Sequence, residues 1–128
     1  MANSVGYHES ENTLRPETLD YHRALTSMQE ELEAADWYDQ RVDAATDADL
    51  KEILAHNRDE EKEHFAMLLE WYRRRDATMA AHLKRYLFTT GSLTTREAGA
   101  AGGAGAGDAP AGSDGSLGIG SLKGGQGL

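Results

Sequence analysis

Apolar positions in the first two-thirds of the chain recur every three or four residues. From Leu14 or Pro16 to about Ala44, the positions Ala24, Leu25, Met28, Leu32, Ala35, Tyr38 and Val42 trace one helical face. Pro16 suits the first turn, where its missing N–H is no loss. Residues Ala44-Ala45-Thr46-Asp47-Ala48-Asp49 read as a turn, with Thr46 or Asp47 able to cap the next helix. That second helix is expected from about Ala48 to Arg75, carrying Leu50, Ile53, Leu54, Phe65, Leu68, Trp71 and Tyr72 on one side. A short third helix is expected from Ala77 to Phe88, with Asp76 as a cap and Gly91 beyond its end. No segment alternates in strand fashion. The expected fold class is all-α: an antiparallel two-helix hairpin plus a short third helix.

The charged residues change this picture. At about 100° per residue, Ala24, Met28, Ala35, Tyr38 and Val42 lie within about 60° of Glu31, so Glu31 sits on the apolar side of its own helix. On the second helix Leu50, Leu54, Phe65, Leu68 and Tyr72 lie within about 40° of Glu61, and His64 falls between them and the Ile53/Trp71 edge. The run Glu60-Glu61-Lys62-Glu63-His64 is therefore not a plain solvated charge run. Glu63 points away and Glu60 lies just past the edge, but Glu61 and His64 face inward. Burying a carboxylate and an imidazole is costly unless something positive lies between them.

A turn centred near Thr46 puts Glu31 and Glu61 opposite each other, each fifteen residues away. His64 comes one turn later, at the level of Met28. A Glu from one helix and a Glu-x-x-His from another are half of the set used by ferritin-like di-iron proteins, themselves the source of that pattern. Two copies related by a two-fold axis would complete the set and form a four-helix bundle, hiding apolar faces that one hairpin leaves open. Carboxylate oxygens with imidazole suit iron or manganese, with zinc also compatible. The bridging of two such ions by carboxylates would place them roughly 3.5–4 Å apart. Two ferrous ions held so could give electrons to oxygen, and Fe(II) oxidation to Fe(III) is the expected reaction.

Composition narrows the classes. Twelve of the fourteen glycines lie between Ala98 and Leu128, leaving roughly ninety residues for a core, which is marginal for few long helices. There is no cysteine, hence no disulfide framework or thiolate site. The net charge of −9, with histidines neutral, repels nucleic acid and attracts cations. No apolar run reaches membrane-spanning length, and Met1–Glu9 lacks the apolar stretch of a secretion signal. No membrane partner is expected, and the cytoplasm is the expected location. Between Leu93 and Leu117 no large aliphatic or aromatic residue occurs, which reads as a flexible linker. Leu117, Ile119 and Leu122 then arrive together in Gly-rich surroundings, as in a docking peptide for a groove.

The stretches "EELEAADWYDQRVDAATDADL", "ILAHNRDEEKEHFAMLLEWYRRRDA" and "GSLGIGSLK" together resemble the encapsulated ferritins, ferritin-like proteins packaged in encapsulin nanocompartments. That resemblance implies a homo-oligomer in which dimers build a di-iron ferroxidase centre and five dimers form a decamer. It implies Glu31, Glu61 and His64 as iron ligands, Glu61 bridging the irons, and Tyr38 as an ordering tyrosine beside them. It further implies Glu30, Glu33 and Trp37 as an iron-entry region, Fe(II) and oxygen as substrates, and an encapsulin shell as partner. The expected organisation is a flexible N-terminus over 1–13, a helical domain over 14–91, and a linker over 92–114. The chain then ends in an encapsulin-targeting peptide over 115–123 and a disordered end over 124–128. Oxidised iron would be stored in the shell lumen. Two other readings stay open: a non-catalytic helical scaffold tethered by its tail, and a dimetal site doing manganese or peroxide chemistry.

Overall fold

The computed structural model describes residues 6–103. Its elements are a 3-10 turn at Glu11–Thr13 and four α-helices: α1 (Pro16–Ala44), α2 (Ala48–Arg73), α3 (Ala77–Tyr86) and α4 (Leu93–Gly103). Among the described residues there is no strand, so the fold is all-α as the periodicity requires. None of these helices is long and apolar enough to cross a membrane. Among the described residues, those through Asp76 and those from Ala77 onward fall into two units.

In the first unit α1 and α2 form the expected hairpin. Pro16 occupies the first position of α1. The helix ends where Ala45 turns extended, and Lys51 reaches back to its last carbonyls, with Nζ donating to Val42 at 2.5 Å and Ala45 at 3.2 Å. Those acceptors lack helical partners, so the lysine both satisfies them and complements the negative helix end. Asp47 is the N-cap of α2, its Oδ2 accepting from the Leu50 N–H at 2.9 Å. At the far end Glu70 is gripped by Arg73 Nε and Nη2 at 2.6 and 2.7 Å and by Arg74 Nε at 2.8 Å. The two guanidinium groups pull its pKa down to about 2. Helix α2 stops at Arg73, two residues before the expected end, as the Arg75 N–H bonds to Tyr72 in a tightened last turn.

Polar and aromatic contacts tie the two helices together. Arg58 Nη1 meets Asp39 Oδ1 at 2.9 Å, and the Tyr21 hydroxyl donates to the Arg75 carbonyl at 2.9 Å. Tyr21 stacks on Tyr72 with ring centroids 5.2 Å apart and meets Trp71 edge-on at 6.1 Å. Only Ala24 and Met28 are fully buried among the described hydrophobic residues. Leu32, Ile53 and Met67 keep 51%, 56% and 59% of their surface exposed. Two helices alone cannot enclose a core, so large apolar faces remain uncovered.

In the second unit α3 ends at Tyr86 rather than Phe88. Phe88 itself takes the left-handed conformation, φ 61°, that closes a helix, a place glycine usually fills. Gly91, at φ 89°, makes a further bend. Helix α4 lies within the stretch expected as linker. Its cap is Ser92, whose Oγ accepts from the Thr95 N–H at 3.1 Å, and Arg, Glu and Ala are strong helix formers. A sequence with nothing to bury can still be locally helical, which the absence of large apolar residues does not reveal.

Candidate metal centre

Three side chains from the two hairpin helices converge: Glu31 from α1, and Glu61 and His64 from α2. One donor atom of each lies within 4.8 Å of the others. His64 Nδ1 stands 3.4 Å from Glu31 Oε1 and 3.4 Å from Glu61 Oε1. His64 lies one turn beyond Glu61, yet helical side chains tilt toward the N-terminus, so the imidazole reaches back to the carboxylates. The side chains keep 24%, 22% and 44% exposure respectively. The cluster is therefore partly covered and partly open to solvent.

Neighbours within the cluster shift the proton affinities of Glu31 and His64. A hydrogen bond with Glu61, then burial and the like charge of Glu61, raise the Glu31 pKa above its ordinary value. Burial works against a charged His64, but the Glu31 and Glu61 carboxylates outweigh it and raise the imidazole pKa. Two carboxylates and one imidazole fit Fe(II), Mn(II) or Zn(II). Three donors, though, leave coordination positions open on such ions.

Both raised pKa values mean that the folded chain binds more protons than the unfolded one. Stability from these groups is present at mildly acidic pH and lost as pH rises, from the ordinary glutamate range through the raised value of His64. In chelator, the melting temperature is expected to fall as pH rises from about 4.5 through and beyond about 6.5, the ordinary values above which the two raised groups release their protons. Glu31→Gln should flatten that slope, measured by circular dichroism melts. An unchanged slope in the variant would remove Glu31 from the coupling.

The other candidates lie elsewhere. Tyr38 is half-buried on α1, with the Arg41 guanidinium 5.5 Å from its ring centroid. Glu30 and Glu33 are exposed, as is Trp37, and none of the three joins the cluster. Leu117, Ile119 and Leu122 lie outside the described residues, as does the peptide 115–123. Arg58 is not among the candidates the sequence singles out. Its signal is a cation one turn before Glu61, about 60° round the helix from it.

A helical hairpin with an inward Glu and an inward Glu-x-x-His carries half of the donor set that ferritin-like di-iron proteins use. The EncFtn-like family profile matches residues 6–90, and the chain belongs to that family. It is 62% identical over 122 residues to an encapsulated ferritin-like protein of Rhodospirillum rubrum, spanning 91% of this chain and 87% of the relative. It is 47% identical over 97 residues to a ferritin-like protein of Thermotoga maritima, spanning 76% and 85%. The encapsulin nanocompartment cargo protein EncC of Myxococcus xanthus is 36% identical over 89 residues, spanning 66% and 68%. A crystal structure of a protein from Nitrosomonas europaea superposes with a TM-score of 0.67 at 58% identity, covering 70% of this chain and 98% of that one.

Proposed function

We propose that the chain is a ferroxidase, oxidising Fe(II) to Fe(III) with oxygen at a di-iron site shared between two subunits, and that it works as cargo inside an encapsulin shell. The observation that carries this reading is the convergence of Glu31, Glu61 and His64 within 4.8 Å. Each subunit brings an incomplete donor set, and a two-fold partner supplies the rest. Iron is the substrate, bound as Fe(II) and released as Fe(III). Two ferrous ions give up one electron each, and oxygen takes the pair together with two protons from water, leaving as hydrogen peroxide. The carboxylates take up the added charge of the ferric state. Glu61 would hold both irons and Tyr38 would order the surroundings of the site. The exposed Glu30, Glu33 and Trp37 form the path by which iron enters, helped by the net charge of −9.

Support for the shell comes from the family. One relative is an encapsulated ferritin-like protein and another an encapsulin cargo protein. Cytoplasmic synthesis, packaging through Leu117, Ile119 and Leu122, and mineral storage in the shell lumen complete the reading, with a decamer of five dimers as the assembly. Removal of residues 116–128 is expected to leave oxidation intact and to prevent packaging; co-purification of the shortened chain with the shell would refute the tail's role.

Oxygen uptake on addition of Fe(II) to the full chain tests the central claim. A ferroxidase consumes oxygen in proportion to iron, whereas a non-catalytic scaffold gives only the buffer rate. Manganese or peroxide chemistry at the same cluster would show as peroxide consumption without Fe(II)-dependent oxygen uptake.

A further inference from the structure

We propose that Arg58 is a positioning residue for the metal cluster: through Asp39 it clasps α2 to α1 and holds Glu31 level with Glu61 and His64. Its Nη1 donates to Asp39 Oδ1 at 2.9 Å, while Nε donates to Asp59 Oδ1 at 3.0 Å. Asp59, on the same helix, fixes the plane of the guanidinium, and the remaining arm is aimed across the hairpin. The arginine side chain is only 23% exposed, against 60% for Asp39. The contact is thus a partly covered tie between elements nineteen residues apart in sequence.

The position of the tie gives it a role. Arg58 lies one helical turn before Glu61, and Asp39 lies two turns after Glu31, both toward the hairpin turn. On the other side of the cluster the Tyr21 hydroxyl holds the Arg75 carbonyl. The three donors are therefore bracketed along the hairpin by cross-helix contacts. Between the brackets, Glu31 and Glu61 face each other as like charges and push α1 from α2 whenever neither is protonated and no cation separates them. A slide of one turn would be about 5.4 Å, and ligands must be held to within about 0.5 Å to be preorganised.

Simple Coulomb attraction predicts the opposite of this role. Removing a positive charge near a cation site should tighten metal binding, whereas removing a clasp should weaken it. The inference rests on the reading of Glu31, Glu61 and His64 as metal ligands, so Co(II) titration of the full chain, tracked by absorption at fixed protein concentration, tests both separately. A parent chain that binds no Co(II) overturns that reading, and the clasp with it. With the parent binding, Arg58→Met and Asp39→Asn are each expected to weaken Co(II) two- to five-fold, about the effect of a partly exposed pair. The double variant Arg58→Asp with Asp39→Arg should recover parent affinity to within about two-fold, a rescue that a general loss of stability would not give. Arg23→Met, which breaks an exposed pair within α1, should bind as the parent does. Unchanged or tighter binding in Arg58→Met overturns the proposal, as does parent-like binding in Asp39→Asn or equal weakening in Arg23→Met. Should Arg58→Met fail to fold, Asp39→Asn and the double variant decide.

Discussion

Glu61→Ala and His64→Ala are each expected to slow Fe(II) oxidation by at least about 100-fold, because even residues that only support metal ligands are commonly worth 10- to 100-fold. The far-UV helical signal should persist in both. Neither side chain is part of the hairpin's small buried set, which is Ala24 and Met28, and the tie between α1 and α2 through Tyr21 and Arg75 lies away from them. Removal of Glu61 also removes the like charge and hydrogen bond that raise the Glu31 pKa, so the metal-free variant should melt no lower than the parent above about pH 7. Loss of activity with retained or increased stability separates a ligand from a structural residue. Glu63→Ala supplies the control, since Glu63 is exposed on the same helix and should oxidise iron within about two-fold of the parent. Stopped-flow absorbance of Fe(III) measures all three. Parent rates in Glu61→Ala or His64→Ala would take the cluster out of the reaction.

The cluster is legible in the sequence because two independent regularities agree on it. Helical phase turns Glu31 and Glu61 inward, and the position of the turn puts them at one level; the structure brings them together with His64. Helix starts are equally legible, since Pro16 and the Asp47 cap are local signals. Helix ends are less so. Phe88 in a left-handed conformation closes α3 where its residue type gives no warning. Helix α4 depends on a serine cap and good helix formers rather than on the apolar periodicity that marks α1 and α2. Arg58 is hidden for another reason. Its partner Asp39 is far along the chain, and phase alone does not say which of several surface acids a long side chain will reach.

Divalent metal is expected to drive the chain from a smaller species to a dimer or a multiple of it. The warrant is the incompleteness of the single hairpin. Three donors, with the side chains of Glu31, Glu61 and His64 still 24%, 22% and 44% exposed, leave positions on an ion open to donors from a second chain. Apolar residues such as Leu32 and Ile53, more than half exposed, provide a face to bury when it does. Ligand that binds only the assembled state stabilises it by RT ln(1 + [L]/Kd), so metal at 100 times its Kd is worth about 2.7 kcal/mol per site. That lowers the dimer dissociation constant by about 100-fold for each site formed. Sedimentation velocity of the chelator-treated chain, with and without Co(II) or anaerobic Fe(II), reads the shift directly. Glu61→Ala should respond weakly or not at all, because each chain then brings one donor fewer to the ion. Identical distributions with and without metal, or a Glu61→Ala chain that assembles as the parent does, would separate assembly from the metal and return the site to a single subunit.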